Sequence, residues 1–252
     1  MGNSLEPIRI VALHGFLGVP ADWREIEGFV KRKFPTAQWT SLNLNNLLKS
    51  SNAQTFDALS EVIMKELESS VPHVDLLCGY SLGGRLALHL FDMKPEFFKR
   101  VLTLSSSPGI TDSTEKKSRI ESDQNWAERF IKEPFAKVVA DWNSLPIFKN
   151  TKEPERNPND YDPETLGTIL RNFSLGNQKD FTAYLKSHSE SVTWAYAARD
   201  DRYRGMAEQY REMGANNIVE IPEAGHRVIF DAPNLVADLI GKILLENKKG
   251  HK

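Results

Sequence analysis

Hydrophobic positions along the chain fall into two alternating kinds of segment. Largely apolar runs at residues 8–13 (IRIVAL), 74–78 (VDLLC), 101–104 (VLTL), 192–198 (VTWAYAA) and 218–221 read as strands, because a strand covered on both faces has no polar side to present, and residues 38–44 are expected to form the strand after the first. Between them apolar residues recur at helical spacing. Trp23, Ile26, Phe29 and Val30 predict a helix over 21–34 with Asp22 as its cap, and Phe56, Leu59, Ile63 and Leu67 predict another over 55–69. Residues 43–51 are polar enough to read as a loop, Met206, Tyr210 and Met213 suggest a helix, and residues 235–245 close the chain with one more. Strands alternating with helices predict an α/β fold: a mostly parallel sheet with helices on both faces. The rhythm breaks at 109–191. There Trp126, Phe130, Phe135, Val138, Val139 and Trp142 keep helical intervals, Pro134 interrupts them, and a Pro- and Asn-rich stretch at 146–163 precedes Leu166, Ile169, Leu170 and Phe173. With no strand pattern in it, this segment is expected to be a helical cap (lid) inserted into a core of residues 1–108 and 192–252. It would lie over the carboxyl ends of the strands, where open α/β sheets bind ligands.

Composition narrows the possible partners. A chain of 252 residues with 40% hydrophobic content can bury a sizeable core, and no internal repeat is visible. The formal net charge is −2, with no long block of like charge, the Lys248-Lys249 pair near the end included, which argues against nucleic acid or an anionic membrane as partner. Any anion site must therefore be local. Cys78 is the lone cysteine and falls in a strand pattern, so it reads as a core residue of a cytoplasmic protein. No apolar run is long enough to span a bilayer, and the opening MGNSLEPIRI lacks the layout of a secretory signal. Gly2 and Ser4 do not have the spacing of an acylation start.

The candidate chemistry centres on residues 74–90, VDLLCGYSLGGRLALHL. Gly79-Tyr80-Ser81-Leu82-Gly83 is a G-x-S-x-G turn between a strand and a helix, where glycines let the backbone double back and leave a serine hydroxyl exposed. The pentapeptide alone also fits a Gly-rich turn with a solvated serine. Its partners decide: Asp200 follows the strand at 192–198 and His226 follows the strand at 218–221, giving the order serine, acid, histidine. The three residue types supply a hydroxyl, an imidazole to carry its proton and a carboxylate to fix the imidazole. Asp201 is the second choice for the acid. After the first strand, His14-Gly15-Phe16 offers a backbone N–H at Phe16, which with that of Leu82 could form an oxyanion hole; the His14 ring is expected to hold the loop. No cluster has metal-ligand spacing, so no metal site is expected.

The motifs HGF at 14–16, GYSLGG at 79–84, ARD at 198–200 and AGH at 224–226 resemble those of the α/β-hydrolase-fold family throughout the chain. Within that family, GYSLGGR at 79–85, SSSPGI at 105–110, SRIESDQNWAERF at 118–130 and EPFAKVVADW at 133–142 resemble the 2-succinyl-6-hydroxy-2,4-cyclohexadiene-1-carboxylate synthases of menaquinone biosynthesis. The resemblance implies a lyase that eliminates pyruvate from a small substrate carrying several carboxylates, with the triad taking a proton from the ring and with no cofactor. It also implies substrate contacts from Tyr80, Arg85, Arg119 and Trp142, and from a further cap arginine for which Arg156 aligns best and Arg171 is the rival. Two departures stand out: Ala198 precedes Arg199-Asp200 where the family has glycine two residues before the acid, and residues 43–51 (NLNNLLKSS) replace its usual Pro-Gly-His-Gly loop. The general motifs leave two other readings open. One is a carboxylesterase or C–C-bond hydrolase with nucleophilic Ser81; the other is a binding protein on a hydrolase scaffold.

Overall fold

The computed structural model describes residues 7–247; Gly2, Ser4 and the Lys248-Lys249 pair lie outside them. Its sheet consists of β1 (Arg9–Leu13), β2 (Gln38–Leu42), β3 (Leu76–Tyr80), β4 (Val101–Leu104), β5 (Val192–Ala197) and β6 (Ile218–Ile221), all parallel, in the order β2-β1-β3-β4-β5-β6. Strands β3, β4 and β5 are buried along their whole length, whereas the edge strand β2 alternates exposed and half-buried residues before Leu42. Alternate residues of each strand serve opposite layers. Ile10, Ala12, Leu76 and Cys78 pack with Trp23, Ile26 and Val30 and with Val236, Ile240 and Ile243. Val11, Leu13 and Leu77 pack with Leu59, Ile63, Leu86 and Leu90 on the other face.

The first of these layers is built from α1 (Arg24–Lys33), α10 (Val228–Asp231) and α11 (Pro233–Asn247). The other contains α2 (Leu44–Ser51), α3 (Phe56–Ser70), α4 (Leu82–Met93), α8 (Thr182–Ser187) and α9 (Asp201–Glu212). Between β4 and β5 the described chain is helical or irregular: α5 (Ser113–Lys132), α6 (Phe135–Asn143) and α7 (Pro163–Asn172) close around Ala127, Phe130, Val138, Leu166 and Leu170, with Leu17 of the β1 loop in the same cluster.

Two local expectations are corrected. Residues 43–51 are mostly helix rather than loop: the Asn43 side chain accepts from the Asn46 N–H, capping α2, and Leu44, Asn45 and Leu48 are buried. The run of asparagines and serines hid the Leu44-Leu48 spacing. Asp22 does not cap α1, which starts at Arg24 after a 3-10 turn over Pro20–Trp23; its carboxylate accepts from the Val19 N–H and pairs with Arg156.

Two buried histidines make the fold acid-sensitive. His14 donates from Nδ1 to Gly15 O (2.9 Å) and accepts at Nε2 from the Leu44 N–H (3.1 Å), so the neutral ring satisfies both partners, and burial holds its pKa at about 4. Burial likewise lowers His89, stacked on Phe56, to about 4 against the opposing pull of Asp57. The unfolded rings take up protons near pH 6.5 and the folded ones only near pH 4. Stability is therefore complete above about pH 6.5 and is lost as pH falls toward 4, by about 3 kcal/mol for His14. Urea midpoints should fall between pH 7.5 and 4.5. A midpoint constant across that window contradicts the assignment.

Candidate active site

The turn after β3 is built around close backbone approach. A Cβ on Gly79 would stand 2.4 Å from Gly83 O, and one on Gly83 would stand 2.2 Å from Leu13 O, so neither position admits a side chain. Ser81 between them is forced to φ 52°, ψ −112°. Its N–H donates to Leu104 O (2.9 Å), and Ser106 Oγ donates to Ser81 O (2.9 Å), which ties the turn to β4 and its loop. Strand β2 lies on one side of β1 and β3 on the other, so the loops after β1 and β3 diverge and leave a crevice where the chain order reverses. Phe16 leaves β1 into that crevice, and Leu82 opens α4 beside Ser81. Among the described residues neither N–H has a backbone acceptor.

The Phe16 loop is held from several sides. His14 bridges Gly15 and Leu44, Asn45 Nδ2 donates to Gly18 O (3.1 Å), and Tyr161 Oη donates to Leu17 O (2.9 Å). The His14 ring thus sits in the loop-holding position expected for it. Helix α2, missed in the sequence, supplies two of these contacts.

Asp200 and His226 arrive from loops beyond β5 and β6. His226 Nδ1 lies 2.9 Å from Asp200 Oδ2, with both side chains at most 5% exposed. Asp200 also caps α9, its Oδ1 accepting from the Tyr203 N–H (3.3 Å), which fixes the carboxylate at the helix start. Ala198 in place of a glycine does not prevent this approach. Asp201 is exposed and pairs with Arg204 instead. The His226 loop is pinned by the Gly225 N–H donating to Asp231 Oδ2 (2.8 Å), and the ring is flanked by Tyr203 (5.3 Å) and Phe148 (5.8 Å). Ser81 and His226 line one cavity, and no hydrogen bond joins them among the described residues. Such a contact is commonly long without substrate.

That cavity encloses about 770 Å³, within the usual range of small-molecule sites. Arg85, Arg119, Lys149, Arg199 and Arg202 line it with Asp123, Asp200 and Asp201; Arg119 pairs with Asp123, Arg199 faces Asp231 (3.9 Å) and Arg202 faces Glu115 (3.3 Å), which leaves Arg85 and Lys149 as the lining cations without an ion-pair partner among the described residues. Arg85 is the most exceptional of them. Its Nη1 donates to Phe173 O (2.8 Å), no carboxylate lies within ion-pair reach among the described residues, and burial with Arg119 nearby lowers its pKa to about 10. Arg119 is steadied by its Nε donating to buried Asp123 (2.8 Å), which leaves the terminal nitrogens available. Trp142 also lines the cavity and packs on Phe16 (4.9 Å) and Trp126 (5.0 Å).

Tyr80 and Arg156 border Ser81 from a second cavity. Neither lines the large cavity; both line a side cavity of about 60 Å³ that also reaches Ser81. The Arg156 guanidinium meets Asp22 through two hydrogen bonds (2.7 and 3.0 Å), so its charge is neutralised and it braces the β1 loop. Arg171 borders neither cavity and faces Glu128 (3.8 Å) and Glu164 (4.0 Å). Sequence reasoning missed Lys149, Arg199, Arg202 and Arg227. Three of these stand within two residues of Asp200 or His226, and that adjacency was the signal; Lys149 sits in the Pro- and Asn-rich stretch, which has no periodicity to exploit.

Residues 10–239 match the model of the Alpha/beta hydrolase family. The chain is 31% identical over 242 residues to the 2-succinyl-6-hydroxy-2,4-cyclohexadiene-1-carboxylate synthase of Enterobacter sp. (strain 638), covering 93% of this chain and 91% of that protein. The synthase of that name from Escherichia coli O1:K1 / APEC is 29% identical over 241 residues, covering 93% of each. Among solved structures, MenH from S. aureus superposes with a TM-score of 0.81 at 19% identity, over 97% of this chain and 96% of that one. A thermophilic esterase from Thermogutta terrifontis gives 0.66 at 15%, over 95% and 90%. At those identities the two structures speak to the fold alone. The chain therefore belongs to the alpha/beta hydrolase family, and its likeness to the 2-succinyl-6-hydroxy-2,4-cyclohexadiene-1-carboxylate synthases runs along nearly its whole length.

Proposed function

We propose that this enzyme is a carbon–oxygen lyase of menaquinone biosynthesis, eliminating pyruvate from 2-succinyl-5-enolpyruvyl-6-hydroxy-3-cyclohexene-1-carboxylate to give 2-succinyl-6-hydroxy-2,4-cyclohexadiene-1-carboxylate. The observation that carries the reading is the half-buried guanidinium of Arg85, with no carboxylate within ion-pair reach among the described residues, in the same cavity as Ser81 and the Asp200–His226 pair. A substrate with three carboxylates supplies the counter-charge such a pocket lacks.

The chemistry follows from the two ring structures. The proton at C2 is acidified by the succinyl ketone, and Ser81 removes it once His226 has taken the hydroxyl proton. Asp200 fixes the imidazole and stabilises its cationic form. Charge developing on the ketone oxygen is met by the Phe16 and Leu82 N–H groups. Electrons then form C2=C3, shift C3=C4 to C4=C5 and break the C5–O bond, so the arm departs as enolpyruvate with the electron pair on oxygen. Return of the proton to its methylene carbon gives pyruvate. The buried Cys78 thiol, pushed well up by its surroundings, has no part in this and fits the cytoplasmic location proposed with the function.

Purified protein should release pyruvate stoichiometrically with the ring product in an assay coupled to lactate dehydrogenase, and failure to do so removes the reading. In the same assay Arg119→Gln should raise KM about tenfold with a smaller change in kcat, since it loses a charge-assisted contact to a carboxylate present before and after proton abstraction. Its thermal midpoint should also drop, because buried Asp123 is left without its partner. Unchanged KM would place Arg119 outside the site.

A further inference from the structure

The side cavity beside Ser81 is walled by Phe16, Tyr80, Asn143, Phe148, Arg227 and Phe230 among others, and its volume of about 60 Å³ admits only a few non-hydrogen atoms. Arg227 is 6% exposed. Its Nη2 donates to Asn143 Oδ1, its Nη1 lies 3.5 Å from Thr151 Oγ1, and its guanidinium stacks 4.2 Å over the Phe148 ring. No carboxylate stands within ion-pair reach of it among the described residues, whereas Arg156 in the same cavity is neutralised by Asp22. A buried cation without a counter-ion is costly unless a ligand provides one. The Tyr80 hydroxyl has no hydrogen-bond partner among the described residues, and burial pushes its pKa up, so it stays a phenol able to donate.

We infer that this side cavity seats the three-carbon enolpyruvyl arm before cleavage and pyruvate after it, with Arg227 anchoring the arm's carboxylate. The inference rests on the reaction proposed above. A planar carboxylic acid of that size matches the aromatic walls, the one cation there without an ion-pair partner among the described residues and the hydroxyl without a hydrogen-bond partner; the ring and its succinyl chain do not fit the volume. The labour is thus divided. Arg85 and Arg119 face the carboxylates that remain on the product, and Arg227 faces the one that leaves. When the C5–O bond breaks, the electron pair stays on the arm's oxygen inside a cationic pocket, and the Tyr80 hydroxyl can donate a hydrogen bond to it without giving up its proton. Arg227 follows His226 directly in sequence, which places it within reach of this pocket.

The test uses pyruvate and succinate as probes of the resting enzyme, with binding followed by ligand-observed NMR, alongside turnover. Pyruvate should bind the unaltered protein and inhibit turnover. Arg227→Gln should weaken pyruvate about ten- to a hundredfold, Arg227→Lys less, and Val139→Phe should block pyruvate by filling the cavity from α6 without removing charge. Succinate should respond to Arg85→Gln and not to Arg227→Gln. Pyruvate binding that ignores both Arg227→Gln and Val139→Phe, or that follows Arg85 instead, overturns the inference while leaving the reaction intact. Pyruvate binding that depends on Arg227 in a protein that does not convert the ring substrate supports the subsite and removes the reaction.

Discussion

Ser81→Ala is expected to lower pyruvate release by on the order of a millionfold while leaving stability within about 0.5 kcal/mol. The large effect follows from the unit the residue belongs to. Asp200 and His226 are already aligned at 2.9 Å, but without the hydroxyl they have no group in contact with the ring proton. What remains is binding and the two N–H groups of the crevice. The small effect on stability follows because Ser81 Oγ holds no partner among the described residues and because alanine at φ 52° bears the same backbone strain as serine. Glycine does not. Ser81→Gly should be equally inactive yet raise stability by about 1 kcal/mol, since the strain removed outweighs the extra chain entropy. Mass spectrometry separates the lyase from a hydrolase. A base returns to its starting state, so no adduct on Ser81 should accumulate during turnover; a stable acyl-enzyme with turnover of activated esters would point to nucleophilic Ser81 and sink the lyase mechanism.

The parts legible in the sequence are those that periodicity or steric necessity dictates. Strands β3, β4 and β5 are buried on both faces and therefore read as unbroken apolar runs, and the glycines around Ser81 answer to backbone clashes that no side chain could escape. Asp200 and His226 were placed by their position after strands, which is a topological argument and needs no side-chain geometry. Ion-pair partners are another matter. Nothing in the order of residues tells that Asp22, 134 positions away, takes the charge of Arg156, or that Arg85 finds only the Phe173 carbonyl. Whether an arginine is free to grip a ligand depends on which carboxylates the fold brings near it. The neutralised charge of Arg156 and the unpaired one of Arg227, side by side in one cavity, are therefore invisible in the sequence. Helix α2 was missed for a related reason: its apolar face is short, and much of its role lies in Asn45 and the Leu44 N–H, whose partners belong to the β1 loop.

Arg85→Gln is expected to reduce kcat/KM between about thirtyfold and a few thousandfold, the range found when one member of a desolvated charge pair is removed. Glutamine is two atoms shorter and cannot reach Phe173 O, but that carbonyl at the end of α7 borders the open cavity, where water can replace the lost donor, so the main change is removal of the charge. Stability should hold or rise slightly, because an arginine that burial has already brought down to about 10 is a cation the fold would rather not carry. Loss of activity with gain of stability would mark Arg85 as retained for the ligand. Arg85→Lys should recover little, for a single ammonium cannot meet a carboxylate with two parallel hydrogen bonds or lie over the Phe56 ring as the guanidinium does at 5.4 Å. Most of the loss should appear in KM, since the carboxylate it faces is present in substrate and transition state alike. A variant within about threefold of the unaltered kcat/KM would place Arg85 outside the binding step. Because the guanidinium titrates only near 10, its share of the grip should stay constant from pH 6 to about 9, and any weakening below that range must come from protonation of the substrate's own carboxylates.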